Sequence, residues 1–154
     1  MHSSLDFPTT AESAATPSVI AQNLREFAET YGQKINETPT TPDQATVDLR
    51  LDLISEEMQE LTDAVAAKDF VEVADALADI VYIAFGTALA YGFSLDAVLA
   101  EVHRSNMSKL DANGKPIYRA DGKVLKGAGY FPPNIPKVLG LAGNGAVETL
   151  NSTP

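Results

Sequence analysis

Apolar positions along this chain recur with the period of a helix and almost nowhere with that of a strand. From Pro17-Ser18 onward, Ile20, Leu24, Phe27 and Tyr31 fall at steps of four, three and four, one stripe that Gly32 closes. After the linker "NETPTTPDQ" (36–44), Thr41-Pro42-Asp43 offers a cap, a proline for the first turn and an early acid. A second helix is predicted from there to about Ala67, with Leu51, Ile54, Met58, Leu61 and Val65 as the seam that packs on other helices. Asp69 caps a third helix, roughly 70–90, holding Phe70, Val73, Leu77, Ile80, Val81, Ala84 and Phe85. "YGFS" (91–94) breaks it, and Ser94 with Asp96 starts a fourth, through about Lys109.

The fold class that follows is all-α, a bundle of four to five helices with a basic irregular C-terminal tail. Residues 1–16 read as a loose N-terminal segment, 17–110 as the helical domain, 111–137 as the basic tail and 138–154 as a disordered C-terminus. Within the tail, "IYR" and "KVL" flank "ADG" and predict a short hairpin. No internal repeat is apparent. After Asp79 the third helix is apolar nearly all round, more than a four-helix monomer covers. Self-association is therefore expected, as a homodimer or a dimer of dimers.

Composition narrows the chemistry. The chain has 154 residues and no cysteine, so disulfides, thiolate metal sites and cysteine nucleophiles are excluded. No basic and apolar leader opens it, and the run "IVYIAFGTALAYGF" (80–93) is short and interrupted for a bilayer span. The expectation is a cytoplasmic protein with no membrane partner. The net charge of −10 is uneven: residues 1–102 hold 18 Asp/Glu against 4 Lys/Arg, and residues 103–137 hold 7 Lys/Arg against Asp111 and Asp121. An acidic body argues against a nucleic-acid surface and suits a small anion that arrives with divalent cations.

The acids are not scattered. "EEMQE" (56–60) places Glu57 and Glu60 at i, i+3 and Glu56 and Glu60 at i, i+4, while Glu72, Asp75 and Asp79 form a line on the third helix. Between residues 51 and 79 the only base is Lys68. A solvated outer face explains such rows unless they lie beside apolar seams, and these do: Met58 and Leu61 interleave with the first, Leu77 and Ile80 flank Asp79. If the two helices fold as an antiparallel hairpin about 67–69, both rows face one cleft. Carboxylates partly buried together need a counter-ion, and a hard divalent cation with oxygen ligands supplies it. A di-iron bundle needs Glu-x-x-His motifs, which His2 and His103 do not provide.

"EEMQE … EVADALADIVY" resembles the Glu-x-x-Glu … Glu/Asp-x-x-Asp signature of the all-α nucleoside triphosphate pyrophosphatases, which include MazG-type enzymes, phosphoribosyl-ATP pyrophosphohydrolase and dimeric dUTPases. "HRSNMSK" and "DGKVLKGAGYFPP" extend the likeness toward the MazG-like, phosphoribosyl-ATP pyrophosphohydrolase-like branch, over about residues 20–135. The resemblance implies Mg²⁺, with Mn²⁺ as a substitute, and metal ligands at Glu57, Glu60 and Asp79. It gives Glu56 a role in a further metal site or in activating water, so Glu56 and Glu57 are the catalytic pair. Relatives carry a Glu where this chain has Ala76; Asp75 shares the face with Asp79 and is preferred as the further ligand, with Glu72 an outer one.

The basic segment supplies substrate contacts in the same reading. Arg104 suits phosphate oxygens or the dipole at a helix end, and the resemblance makes Asn106 and Lys109 substrate contacts. Lys115, Lys123, Lys126 and Tyr130 would neutralise phosphate or form a lid, with Gly127 and Gly129 permitting backbone approach. His103 is expected to be packing or surface. The implied activity is hydrolysis of NTP or dNTP to the monophosphate and pyrophosphate. Phosphoribosyl-ATP hydrolysis is the alternative within the class; a non-catalytic acidic helical dimer that binds a basic partner is the alternative outside it.

Overall fold

The computed structural model describes residues 16–141. Nearly all of the two terminal segments read as loose or disordered lies outside those residues. Five helices follow in order: α1 (Val19–Thr30), α2 (Gln44–Ala67), α3 (Phe70–Tyr91), α4 (Leu95–Met107) and the one-turn α5 (Ile135–Val138). Among the described residues the only β pairing is two isolated antiparallel bridges. The fold is the all-α bundle expected from the periodicity.

Local chemistry sets the helix ends. Ser18, Asp69 and Ser94 cap α1, α3 and α4 by accepting hydrogen bonds from first-turn N–H groups. The cap of α2 is Asp43, whose carboxylate accepts from the N–H of Thr46, so Thr41 and buried Pro42 stand outside the helix. The α4 helix stops at Met107, short of Lys109. The Ser108 hydroxyl bonds the Ser105 carbonyl and accepts the Phe131 N–H, which turns the chain toward the tail.

Two residues join α2 to α3. Lys68 takes a left-handed φ of 58°, the only non-glycine among the described residues to do so, and Asp69 donates its N–H back to Ala64 before capping α3. The connection is short enough to force an antiparallel hairpin, which is the largest helix–helix contact. α1 lies across α3. The linker after α1 closes the far end of α3. Its Asn36 and Thr40 donate to the carbonyls of Leu89, Ala90 and Tyr91 in the last turn, where helical donors run out. Gly92 (φ 78°) makes this possible, because a Cβ there would overlap the Thr38 carbonyl.

The interior of one chain is thin. Its buried apolar residues are Leu24, Phe85 and the alanines at 28, 64, 76, 88 and 90. Small residues let α2 and α3 approach closely, and they leave large ones outside. On α2 the inward row is Arg50, Leu53, Glu57 and Ala64, whereas Leu51, Met58 and Val65 of the expected packing seam are 61%, 50% and 59% exposed. Phe70, Val71, Leu77 and Val81 on α3 are exposed as well. By length and composition α3 is the one helix among the described residues that could cross a bilayer, since its 22 residues extend the shorter apolar run of the sequence.

The tail folds against α4. Tyr118 pairs with Val124 as the expected hairpin around "ADG", and Leu110 pairs with Pro116 in the same way. The two loops are copies: Asp111-Ala112-Asn113-Gly114-Lys115 and Arg119-Ala120-Asp121-Gly122-Lys123 lie eight residues apart. In each, the first residue accepts from a left-handed glycine (φ 72° and 85°) and donates to the lysine carbonyl. These are three-residue hairpin loops that need glycine at the fourth position. The eight-residue repeat corrects the reading of a tail without repeats. Scanning at domain-scale periods passes over a unit this short.

Candidate active site

Helical spacing brings the two acid rows to one cleft. Glu57 lies on the inward row of α2, one turn from Glu60 and two turns from Arg50, and Asp79 faces it from α3 across the hairpin. Glu57 is half-buried, and its Oε2 is sealed from solvent without a hydrogen-bond partner. Burial, followed by the fields of Glu60, Asp79, Asp75 and Glu56, holds its carboxyl above the ordinary carboxylate range. Five of the six acids singled out in the sequence thus share one electrostatic neighbourhood. Glu72, exposed in the first turn of α3, is not among the groups that act on Glu57. Ala76 is buried, so the position where relatives carry an acid points into the seam between the helices while Asp75 stays exposed.

As they stand, the carboxylates form a face and not a closed shell. Among the described residues, no three acidic side chains stand close enough to share one ion.

A cavity of about 290 Å³ opens beside Glu57 and Asp79, with Phe27, Tyr82, Gln33 and Arg50 among its walls. Phe27 and Tyr82 meet edge to face, ring centres 5.5 Å apart. Arg50 is only 7% exposed, and no carboxylate among the described residues pairs with it. One Nη donates to Gln33 Oε1 at 2.9 Å; its buried Nε has no partner. Burial lowers the guanidinium's pKa. Gly86 leaves room for this group, since a Cβ there would come within 3.1 Å of Nη1. Gln33 is set by the end of α1: Gly32 turns left-handed and the Gln33 N–H closes back on the Ala28 carbonyl. Sequence reasoning missed both Arg50 and Gln33. The available signal was an arginine three and seven residues ahead of Leu53 and Glu57, on the same helical face.

The basic residues are elsewhere in the chain. α4 packs on α5 and makes no extensive contact with α2 or α3. Arg104 is already engaged: it grips Glu101 with Nε and Nη2 at 2.7 and 2.8 Å and lies over the Phe131 ring. Together with the Asn134 N–H donated to Glu101, this clasp fastens the tail to α4. Lys126 sits over the ring of Tyr130, 4.4 Å from its centre. Gly127 lies against the Leu110 carbonyl, so its missing side chain serves contact within the tail, and Gly129 borders open space. Asn106, Lys109, Lys115 and Lys123 make no ion pair or side-chain hydrogen bond among the described residues. His103 is exposed.

An α2–α3 hairpin with acids on both helices, crossed by α1, agrees with the MazG-like all-α pyrophosphohydrolase class to which a family match assigns the chain. The family model for phosphoribosyl-ATP pyrophosphohydrolase matches residues 24–106, and the chain belongs to that family. It is also 33% identical over 114 residues to an uncharacterized protein of Acanthamoeba polyphaga mimivirus, covering 68% of this chain. The chain spans 41% of the length of that viral protein. The matched family region contains the acids, Arg50 and Gln33, and ends at Asn106, before the paired hairpins.

Proposed function

We propose that this protein is a Mg²⁺-dependent nucleotide pyrophosphohydrolase that converts NTP or dNTP and water to the monophosphate and pyrophosphate. The observation that carries the reading is the sealed, partnerless Oε2 of Glu57 amid four further acids at the mouth of an aromatic-walled cavity. An all-oxygen donor set with a surplus of negative charge fits hard cations such as Mg²⁺ or Mn²⁺. Glu57, Glu60, Asp75 and Asp79 would hold them, with Glu72 further out. Such ions, when bound, offset phosphate charge and lower the pKa of a water molecule. Glu56, exposed beside Glu57, takes the proton of the water that attacks the α-phosphorus.

The exposed stripe Leu51, Met58 and Val65 supports a homodimer, or a dimer of dimers, in which the α2–α3 hairpins of two copies cover one another. Asn106, Lys109, Lys123, Lys126 and Tyr130, with Arg104 beside them, would meet the triphosphate of a second copy, because α4 stands away from the acids of its own chain. Met58→Glu together with Val65→Glu should yield monomers by sedimentation, and an unchanged assembly would place the interface elsewhere.

The deciding assay is pyrophosphate release from the eight common NTPs and dNTPs, with Mg²⁺ and with excess EDTA. Release from at least one nucleotide that stops in EDTA is expected; no release, or release indifferent to EDTA, rejects the reading. The family match favours a second substrate, phosphoribosyl-ATP. Turnover of that compound alone would select it. A non-catalytic acidic dimer requires that neither nucleotide nor divalent cation move the melting temperature.

A further inference from the structure

The cavity beside the acids has two chemically opposite ends. Glu57 and Asp79 stand at one end, and Arg50 and Gln33 at the other. Arg50 and Glu57 are seven residues apart on one face of α2, about 10 Å along the axis at roughly 1.5 Å per residue. A nucleoside would bridge that span, with its phosphates toward the acids and its base against the Phe27–Tyr82 pair.

The unsatisfied groups at the far end are donors. A guanidinium has no acceptor, so the Gln33 atom at 2.9 Å from Arg50 Nη2 must be the amide oxygen. That bond occupies one lone pair of the Gln33 oxygen, and the Gln33 NH₂ group has no partner among the described residues. Arg50 Nε–H is buried without a partner, in a side chain that is 7% exposed. No carboxylate among the described residues pairs with it there. A buried donor without an acceptor is costly, and a ligand oxygen removes the cost.

We infer that Arg50 and Gln33 are the base-reading residues of this site, and that they select nucleobases presenting a ring carbonyl where the alternative base carries an amino group. The inference rests on the nucleotide reading above and names the substrate class of that site. A carbonyl oxygen accepts from Arg50 Nε–H or from the Gln33 amide, whereas an exocyclic amine would set donor against donor. Discrimination of this type is strong where a buried polar group is left unpaired by the wrong ligand.

Two pairs test this, dUTP against dCTP and ITP against ATP, each exchanging a ring carbonyl and its neighbouring N–H for an amino group and its neighbouring bare ring nitrogen. The carbonyl member should be favoured by about tenfold or more in kcat/KM in each pair that is accepted. Calorimetric binding of dUMP against dCMP should show the same order without any turnover. The informative variant is Gln33→Glu, at a half-buried loop position that keeps an oxygen for Arg50 and replaces the free amide donors with an acceptor. It should bring each ratio to parity or invert it, a shift that a merely structural role for Gln33 would not cause. Turnover with equal rates within both pairs, or a ratio unmoved by Gln33→Glu, overturns this inference and leaves the hydrolase reading intact. Selective binding without turnover of any nucleotide sinks the hydrolase reading and leaves the base reader standing. Neither binding nor turnover rejects both.

Discussion

Around Glu57 on α2 gather four further carboxylates, none of the five paired with a base among the described residues; around Glu101 on α4, one carboxylate receives two guanidinium hydrogen bonds and a backbone N–H. The side chain is the same and the displacements are opposite. Burial and like charge push Glu57 up, while Arg104 first and the Asn134 N–H second pull Glu101 from 4.5 down to about 2. Glu101 is satisfied within its own chain and fastens the tail. Glu57 is left unsatisfied by its own chain, and that deficit is what a ligand would fill.

The sharpest break in this comparison is expected from Glu57→Gln or Asp79→Asn. Either should reduce pyrophosphate release by at least about 100-fold, since loss of a direct ligand should exceed the roughly 10–100-fold typical of outer residues. Circular dichroism should stay helical, and Glu57→Gln should melt no lower than the parent without metal. Full turnover in either variant would remove the acids from the chemistry.

Next in size is the response to cation. Mg²⁺ at tenfold its Kd should stabilise the parent by about 1.4 kcal/mol, which is roughly 3–6 °C in melting temperature for a domain of this size. Glu57→Gln should lose most of that shift and Glu101→Gln should keep it. Equal shifts in all three would mean that the ion binds elsewhere.

Opposite pH slopes form a third test. Glu57, raised in the fold, contributes stability fully below its ordinary 4.5 and loses it as pH rises through its folded value. Glu101, lowered in the fold, contributes above 4.5 and loses it as pH falls from there toward about 2. Melting temperature followed from pH 2 to pH 8 should therefore show a shallower acid limb in Glu101→Gln, with Glu37, Asp43 and Asp121 keeping the rest, and a smaller decline above pH 4.5 in Glu57→Gln. A common profile for the two variants would show that neither group is displaced. The smallest effect belongs to the clasp alone: Glu101→Gln should speed amide exchange at Asn134 and Phe131 while α2 and α3 stay protected.

The helices were legible because their signals are local. Caps at Asp69 and Ser94 and breaks at Gly32 and Gly92 act within a few residues, and the structure has them where the pattern puts them, while the α2 cap falls two residues past Thr41, at Asp43. Position within the bundle is a long-range matter. α2 carries two rows about a quarter-turn apart, Leu51-Ile54-Met58 and Arg50-Leu53-Glu57, and periodicity favours the greasier one as the inner face. The structure turns the second row inward, because alanines at 64 and 76 let α3 close on it. Arg50 therefore drew no assignment from the sequence, although it is among the most buried polar residues described. Gln33 gave no signal, since its role depends on a partner 17 positions away. The acids were found because like charges at helical spacing without bases are unusual in themselves. Which of them act on Glu57 required the fold.

The twin loops of the tail have a consequence of a different kind. Each closes on itself, with Leu110 beside Pro116 and Tyr118 beside Val124, so both ends of a unit lie next to each other. Removing or adding eight residues in phase would change the reach of the segment by one module. It would leave the Glu101–Arg104 clasp and the α2–α3 hairpin as they are. Length variation among natural homologues should therefore collect here, in steps of eight.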